Sequence, residues 1–313
     1  MNADIGVVIV TYNRQEELKK TLRLFDRQIL APRYVLVVNN ASTDGTGELL
    51  ESWLNQSDNR YQRILITSET NEGGAGGFYR GLEKSLELDA EWVWVSDDDA
   101  YPFTDTIEKA QEYLDSIRDS WDNYSAVCAG VLTEGGWNVF HRRNITCENG
   151  QIHNNFISAE VYDKESSFEI NAFSYVGSII NRGKLKEAGL TNKEYFIYYD
   201  DTEHSLRLHH FGKIMCVPSI RVFHFDAAEQ TGPGQRWKLY YRIRNQYDMY
   251  RRHMPEAVYY RYYLGLYRRT IVQLIKNRHS IEAKITKQAL DDLRHRRFGR
   301  NEIYFPGAVI EDE

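Results

Sequence analysis

Short apolar segments rich in valine and isoleucine alternate with longer amphipathic segments through the first hundred residues. This alternation is typical of strand–helix–strand units, in which parallel strands form a sheet and helices cover its faces. In chain order we predict a strand over 5–11, a helix over 15–28, a strand over 34–39, a helix over 46–55, a strand over 63–67, a helix over 74–88 and a strand over 92–96. The pattern therefore predicts an α/β fold with a mixed, mainly parallel sheet flanked by helices.

The pattern is less regular after residue 100 and changes again near residue 232. We expect a helix over 104–118, a strand over 126–132, a turn-rich stretch over 134–155, a strand-like segment over 173–180, a second apolar segment over 195–199, and helices over 182–188 and 200–211. Beyond Gly232-Pro233-Gly234 the pattern is helical, with Pro255 between two basic helices. We therefore predict an α/β domain over 1–232 and a C-terminal helical, basic and aromatic region over 233–313.

The composition is that of an ordinary globular chain. Of 313 residues 42% are hydrophobic, and the three cysteines, Cys128, Cys147 and Cys216, are too scattered for a disulfide framework or a thiolate metal site. The first apolar run has no basic stretch before it, and no run of 18 or more apolar residues occurs. We expect a cytoplasmic chain in a reducing compartment.

Positive charge is concentrated in one region of an otherwise acidic chain. The formal net charge is −6, yet residues 236–278 contain eleven Lys and Arg residues, two acids and nine tyrosines. Basic and aromatic side chains together suit an anionic membrane surface, so peripheral membrane association is one expectation. A solvated helical face with aromatic core packing is the alternative. The acidic remainder disfavours nucleic acid as a partner.

Three consecutive aspartates, Asp97, Asp98 and Asp99, directly follow the apolar strand that contains Trp92 and Trp94. Ligands of open α/β sheets bind at the carboxyl ends of the strands. A divalent cation would relieve the repulsion between adjacent carboxylates. Alternation along an extended chain would place Asp97 and Asp99 on one side and Asp98 on the other. The alternative interpretation is a solvated acidic turn.

A glycine-rich segment, Asn71 to Gly77, precedes the third predicted helix. Glycines allow close approach of a ligand to the backbone, and a helix N-terminus favours negative charge, so a diphosphate or a sugar could bind here. The segment is neither a P-loop nor a dinucleotide fingerprint. By itself it could equally be a flexible turn.

Three further segments complete a recognisable order: residues 8–14, ending in Thr11-Tyr12-Asn13-Arg14, residues 37–46, and Tyr198 to Glu203. Together with the aspartate triplet and the glycine-rich segment, the chain from about Ile5 to His224 resembles the GT-A inverting glycosyltransferases of family 2. Within that family it is most similar to galactofuranosyltransferases that use UDP-galactofuranose, with bacterial rhamnosyltransferases next.

The resemblance implies roles for matching residues on the donor side. Thr11 and Arg14 match positions near the nucleotide, and a guanidinium can pair with phosphate. Asn40 stands where relatives often have an aspartate that contacts uracil or ribose, so the match is imperfect there. The remaining expected donor contacts are Asn71, Gly74 and Asp98.

The resemblance also implies a metal site and a catalytic base. Asp97, Asp99 and His224 match the residues that hold Mn²⁺ or Mg²⁺, and an imidazole ligand favours Mn²⁺. Asp201 matches the base that takes the proton of the acceptor hydroxyl, with Asp200 as the competing candidate. Without chemistry, both acids would be helix caps. We expect His204 to have a structural or supporting role.

The implied function is a metal-dependent inverting transfer of galactofuranose from a UDP donor to a hydroxyl of a bacterial cell-surface glycan or lipid-linked oligosaccharide. The basic helices could dock on the inner face of the cell membrane or form a homo-oligomer. One alternative is a rhamnosyltransferase that uses dTDP-rhamnose. A second alternative is a sugar nucleotidyltransferase, which is disfavoured because Tyr12-Asn13-Arg14-Gln15 stands where the glycine-rich loop of such an enzyme belongs. The remaining alternatives are a non-catalytic module that binds a nucleotide sugar or a glycan, and a structural partner that uses only the basic region.

Overall fold

The structure is a computed structural model that describes residues 3–57, 60–225 and 233–310. The strands are β1 (Ile5–Thr11), β2 (Tyr34–Asn39), β3 (Gln62–Thr67), β4 (Trp92–Asp97), β5 (Ala100–Pro102), β6 (Tyr124–Thr133), β7 (Gly136–Trp137), β8 (Arg142–Glu148), β9 (Gln151–Phe156), β10 (Phe168–Ile170), β11 (Ala172–Phe173), β12 (Val176–Asn181) and β13 (Lys213–His224). The α-helices are α1 (Gln15–Asp26), α2 (Thr46–Leu54), α3 (Gly73–Ser85), α4 (Thr106–Ser116), α5 (Ala159–Lys164), α6 (Arg182–Ala188), α7 (Asp200–His209), α8 (Trp237–His253), α9 (Glu256–Lys276) and α10 (Ile281–Arg294).

A mixed sheet of ten strands runs through the described residues. Its main path has the order β10-β13-β6-β12-β4-β1-β2-β3, with β5 paired to β13 and β7 paired to β6. The strands β4, β1, β2 and β3 are parallel, as the first hundred residues predict. The strand β12 is antiparallel to both neighbours, and β13 is parallel to β6. The predicted α/β fold with a mixed, mainly parallel sheet is therefore confirmed.

Helices cover both faces of this sheet, which is why β1 is buried along its whole length. On one face, Val7 and Ile9 of β1 join a core that includes Leu18 and Leu22 of α1. On the other face, Val8 and Val10 join a core that includes Phe78 and Leu82 of α3. The carboxyl ends of the central strands are left as an edge open to ligands.

Helix α3 lies very close to β1 because two of its residues lack a side chain. A Cβ built at Gly77 would lie 2.4 Å from Cγ1 of Val10, and a Cβ at Gly81 would lie 2.4 Å from Cγ1 of Val8. Part of the glycine content of this region therefore serves helix-to-sheet packing rather than contact with a ligand.

The middle of the chain differs most from the expectation. Residues 142–156, within the stretch expected to be turn-rich, form the hairpin β8–β9, which pairs with β11 in a second, small sheet. The strand β13 has no counterpart in the expectation, and its pairing with β6 shifts register between Val217 and Arg221, around Pro218. The apolar segment 195–199 is an irregular turn.

The C-terminal region forms three helices, with Pro255 between α8 and α9 as predicted. Most of its tyrosines pack inward: Tyr240, Tyr241, Tyr247, Tyr259 and Tyr263 are all buried. Aromatic packing therefore accounts for much of the tyrosine content, as the alternative interpretation holds. The expected boundary near residue 232 lies outside the described residues, and the division at 232/233 stays a prediction. None of the helices in the described ranges combines the length and apolar character needed to span a bilayer.

Candidate active site

An acidic cluster lies at the carboxyl end of β4. Asp97 ends that strand, and Asp99 follows two residues later. His224 is the last residue of β13, and it pairs with Ala100 of β5, the residue after Asp99. The ligand atoms of Asp97, Asp99 and His224 lie within 4.8 Å of one another. The topology thus brings His224 to Asp97 and Asp99, which precede it by more than a hundred positions in the sequence.

The electrostatics of the cluster fit a divalent cation. Burial and the charge of Asp99 raise the pKa of Asp97 well above its usual range. Burial opposes ionisation of Asp99 too, but His224 and Arg14 hold the pKa of that carboxyl below its usual value. His224 Nε2 lies 3.3 Å from Asp99 Oδ1, while the buried His224 Nδ1 has no hydrogen-bond partner among the described residues. Two carboxylates and an imidazole are a ligand set suited to Mn²⁺ or Mg²⁺.

Asp98 lies in the turn that follows β4, and it is bonded to residues at the end of β1. Because Arg14 contacts both Asp98 and Asp99, the expected placement of Asp98 on the side opposite Asp99 stays a prediction. Asp98 is buried and accepts hydrogen bonds from Thr11 Oγ1 at 2.7 Å and from an Arg14 guanidinium nitrogen at 3.1 Å. Arg14 also pairs with Asp99. Burial raises the pKa of Asp98 to about 6. Three of the expected donor residues, Thr11, Arg14 and Asp98, thus tie the end of β1 to the aspartate triplet, and Arg14 remains partly exposed beside it.

The two asparagines expected to contact the donor hold the glycine-rich turn. Asn40 is buried, and its Nδ2 donates to Asn71 Oδ1 at 3.1 Å and to the carbonyl oxygen of Gly73 at 2.9 Å. Its Oδ1 accepts from the amide of Glu72 at 3.1 Å, and Asn71 Oδ1 accepts from the amide of Gly73 at 2.8 Å. In this structure both side-chain amides are therefore bonded to the turn, and contact with a donor remains a prediction.

A cleft of about 480 Å³ opens beside the cluster. Asp97, Asp200 and Asp201 all line it, so the later acids reach the same cleft as the first aspartate of the triplet. The other lining residues are Gly74, Phe78, Phe140, Arg143, Ser174, Tyr175, Ile197, Tyr198, Tyr199, Thr202 and Arg242. Arg143 and Arg242 were not anticipated from the sequence. Arg143 lies in the polar strand β8, where no periodic pattern marks it, and Arg242 is one of many basic residues of α8.

The two acids at the start of α7 differ in their surroundings. Burial and the charge of Asp201 raise the pKa of Asp200 well above its usual value. Burial also raises the pKa of Asp201, but the Arg143 guanidinium opposes that rise. Asp201 Oδ1 accepts hydrogen bonds from the amide and the hydroxyl of Thr202, and that hydroxyl accepts a bond from Arg143 at 2.7 Å. Of the pair, Asp201 is thus the acid whose ionised form is favoured by a nearby guanidinium.

His204 is buried in the core beneath the cleft, as its expected structural role requires. Its Nδ1 lies 2.5 Å from the Tyr175 hydroxyl and its Nε2 lies 2.9 Å from the carbonyl oxygen of Gly189. Burial lowers the pKa of His204 to about 3, so the ring is neutral at physiological pH.

The sequence itself identifies the family. The family model for glycosyl transferase family 2 matches residues 6–189. The chain belongs to glycosyl transferase family 2. The predicted family and the predicted enzyme class, a glycosyltransferase, are thereby confirmed.

This family 2 chain is similar to enzymes with two different sugars in their names. It is 35% identical over 101 residues to galactofuranosyltransferase GlfT1 of Mycobacterium tuberculosis, a match that spans only 32% of the length of each protein. It is 28% identical over 271 residues to the dTDP-rhamnosyl transferase RfbF of Shigella flexneri, covering 82% of this chain and 83% of that one. Among solved structures, GalNAc-T7 with UDP, GalNAc and Mn²⁺ matches 94% of the family 2 chain and 56% of its own, with a TM-score of 0.64 and 14% identity. That similarity supports the GT-A fold.

An ionised glutamate joins the helix of the two acids to the C-terminal region. Glu203 of α7 is fully buried, accepts two 3.0 Å bonds from Arg207, and lies 3.3 Å from Nε2 of His253 in α8. Burial would raise the pKa of Glu203, but His253 and Arg207 outweigh burial and lower it to about 2. The ionised form therefore stabilises the packing of α7 against α8.

We predict that Glu203→Gln lowers the free energy of unfolding by an amount that depends on pH. Since the pKa is about 2 in the folded chain and 4.5 in the unfolded one, the ionised group contributes on the order of 3 kcal/mol above pH 4.5. That contribution is lost as the pH falls from 4.5 toward 2. Urea unfolding of both proteins between pH 7 and pH 3.5 measures the difference.

The matched control is Glu160→Gln, because Glu160 is an exposed glutamate whose partner Lys164 is one turn away in α5. We expect this control to change stability by less than about 0.5 kcal/mol at every pH. A Glu203→Gln effect that stays constant across the range would contradict the assigned pKa.

Proposed function

We propose that this family 2 glycosyltransferase is a metal-dependent inverting enzyme that transfers galactofuranose from UDP-galactofuranose to a hydroxyl of a bacterial cell-surface glycan or lipid-linked oligosaccharide. The observation that carries the proposal is the position of Asp97, which belongs both to the acidic cluster with Asp99 and His224 and to the cleft lined by Asp201. A cation site and a carboxylate base facing one cleft are what a single displacement at a nucleotide sugar requires.

In this proposal Asp97, Asp99 and His224 hold Mn²⁺ or Mg²⁺, which when bound offsets the negative charge of the departing nucleotide diphosphate. Arg14, beside the cluster, adds a positive charge for the same phosphates. Gly74, with open space where its Cβ would be, lets the donor approach the start of α3. Uridine, as the nucleotide of the donor, is inferred from the resemblance.

Asp201 is the proposed base. The acceptor oxygen attacks the anomeric carbon from the side opposite UDP, the bond from that carbon to the UDP oxygen breaks, and the hydroxyl proton passes to the Asp201 carboxylate. Arg143 and the two donors of Thr202 favour the ionised form that this role needs. Asp200, with a much higher pKa, is the poorer base at neutral pH.

The second candidate is a rhamnosyltransferase that uses dTDP-rhamnose. The observation in its favour is the length of the match to RfbF, which covers 82% of this chain, whereas the match to GlfT1 covers 32%. The higher identity of the short match to GlfT1 favours galactofuranose, and the greater coverage of the match to RfbF favours rhamnose. A comparison of turnover with the two donors distinguishes the candidates.

We predict that the enzyme releases UDP from UDP-galactofuranose faster than it turns over other UDP-sugars or dTDP-rhamnose, and that EDTA abolishes this release. Added Mn²⁺ restores it better than Mg²⁺, because His224 supplies an imidazole ligand.

Asp99→Ala removes one carboxylate of the cluster, so the affinity for UDP in the presence of MnCl₂ falls at least about tenfold. Isothermal titration calorimetry measures that affinity.

The control is Asp105→Ala, since Asp105 is a nearby acid outside the cluster that pairs with Arg221. Its affinity for UDP with MnCl₂ stays at the wild-type value. Preference for dTDP-rhamnose would replace the first candidate by the second. Turnover that is unaffected by EDTA would contradict the metal site for either donor.

We predict that Asp201→Asn keeps the wild-type affinity for UDP and lowers kcat by about 10²- to 10⁴-fold, the usual contribution of a general base. In the wild type, kcat falls on the acid side at a pH above the ordinary aspartate value of 3.8, because burial raises the pKa of Asp201. Initial rates over pH 4 to 9 give both results. A larger loss of kcat in Asp200→Asn than in Asp201→Asn would exchange the two roles.

We propose that the enzyme acts in the cytoplasm, peripherally on the inner face of the cell membrane, through one face of α9. Leu264, Arg268, Val272 and Lys276 recur every four residues and are all exposed, and Ile275 beside them is 75% exposed. Apolar side chains interspersed with cations match the headgroup region of an anionic bilayer. A homo-oligomer formed through this face is the competing possibility.

We predict that the double variant Arg268→Glu and Lys276→Glu co-sediments with phosphatidylglycerol vesicles at least about tenfold less than the wild type, because each cation near such a surface contributes about 1 kcal/mol. The double variant Lys109→Glu and Lys164→Glu changes the net charge equally on other helices and binds as the wild type does. A variant that still binds vesicles but changes its mass in light scattering would favour the oligomer.

A further inference from the structure

Two neighbouring side chains of α8 are completely buried against the backbone of the turn that precedes the proposed base. Arg244 and Asn245 both have an exposed fraction of 0%. Asn245 Nδ2 lies within hydrogen-bond distance of three carbonyl oxygens, those of Tyr195 at 2.9 Å, Ile197 at 2.8 Å and Tyr198 at 3.0 Å. One amide group thus gathers three carbonyls of a five-residue turn.

Arg244 extends the same set of contacts. Its Nε donates to Asn245 Oδ1 at 3.0 Å, and its terminal nitrogens donate to the carbonyl oxygens of Glu194, Tyr195 and Gly299. The bond from Arg244 fixes which end of the Asn245 amide faces the turn, because Oδ1 accepts and Nδ2 is left to donate.

The turn needs such support because its backbone is unfavourable for the residues it contains. Phe196, Tyr198 and Tyr199 have φ values of 66°, 66° and 65°, in the left-handed region that bulky side chains avoid. Each such residue costs on the order of 1–3 kcal/mol and persists only where surrounding contacts impose the conformation. Within the described residues, the bonds from Asn245 and Arg244 are contacts of that kind.

The turn at 195–199 contacts both the start of α7 and the glycine-rich turn at the start of α3. Tyr199 directly precedes Asp200 and Asp201 at the start of α7, and Ile197, Tyr198 and Tyr199 line the cleft. On its other side, the carbonyl oxygen of Phe196 accepts a bond from the amide of Ala75 at 3.1 Å. That oxygen lies 2.0 Å from where a Cβ of Gly73 would be, so the glycine-rich turn is pressed against it.

We propose that Asn245 is a positioning residue for the transfer reaction: by gathering the carbonyls of residues 195–198, it sets the start of α7 and hence the Asp201 carboxylate against the donor side of the cleft. The inference rests on the proposed function, because it assigns Asn245 to the step in which Asp201 takes the proton. It makes α8 part of the catalytic unit.

The experiment compares Asn245→Asp with Asn245→Gln in the full chain. The aspartate keeps the shape but loses both N–H donors, whereas the glutamine keeps the donors on a side chain one carbon longer. We expect kcat to fall about 10- to 100-fold in Asn245→Asp and less in Asn245→Gln, since a misplacement of about 1 Å can cost 10²-fold. The affinity for UDP with MnCl₂ should stay within about threefold in both.

The matched control is Leu290→Ala, which opens a cavity in the core of α8, α9 and α10 without touching the turn. Its Tm should fall at least as far as that of Asn245→Asp, while its kcat stays within about twofold of the wild type. An equal loss of kcat in Leu290→Ala, or retained kcat in Asn245→Asp, would reduce Asn245 to a residue of general stability and overturn the proposal. If the aspartate variant does not fold, a full kcat in Asn245→Gln together with a lowered Tm overturns it too.

Hydrogen exchange separates this proposal from the proposed function. In Asn245→Asp, or in Asn245→Gln if only that variant folds, the amides of residues 196–203 should exchange faster than in the wild type, while in Leu290→Ala they should follow the global loss of stability. Unchanged exchange at these amides would overturn the inference whatever the enzyme transfers. Faster exchange in a protein whose wild type neither binds UDP nor transfers a sugar would refute the proposed function and leave the control of the turn by Asn245 standing.

Discussion

The structure depends on carboxylates brought close together where water is scarce. Burial raises the pKa values of Asp97 and Asp200 well above the usual range, and the charge of Asp97 adds to the rise for Asp200. Such an arrangement is unfavourable in itself, since every carboxylate added to a desolvated site makes ionisation of the next more costly. It persists because a rigid sheet on one side and a braced helix start on the other fix the positions of the acids.

The topology explains how distant parts of the chain reach this place. The central parallel strands deliver Asn39 and Asp97 to one edge of the sheet, as in α/β folds generally. The long strand β13 then runs beside β6 and ends against the short strand β5, which brings His224 to the acidic turn. Strand β13 pairs with β10, β6 and β5 along its length, and its register against β6 shifts around Pro218 before the strand reaches His224.

The parts of this architecture that local pattern determines could be predicted from the sequence. The valine-rich runs at β1 and β2 indicate buried strands, and the acids that follow Trp94 indicate where the buried strand β4 ends. The glycine-rich segment was predictable as a place of close approach, but only packing reveals that Gly77 approaches Val10 rather than a ligand. Arg143 could not be found, because the polar hairpin that carries it has no periodic pattern. The sequence marks 195–199 only as an apolar segment; its conformation as a turn depends on packing against the aromatic side chains of α8.

The bonds from α8 to the turn at 195–199 have a consequence for exchanging parts between related enzymes. Recombining the helices after residue 233 with the α/β portion of another family member would cut through contacts that run from side chains on one piece to main-chain atoms on the other. Because those contacts recognise backbone shape, a graft can succeed only if the recipient's turn has the same left-handed conformation. Segment 194–199 and α8 should therefore be exchanged together, although about forty residues of sequence lie between them.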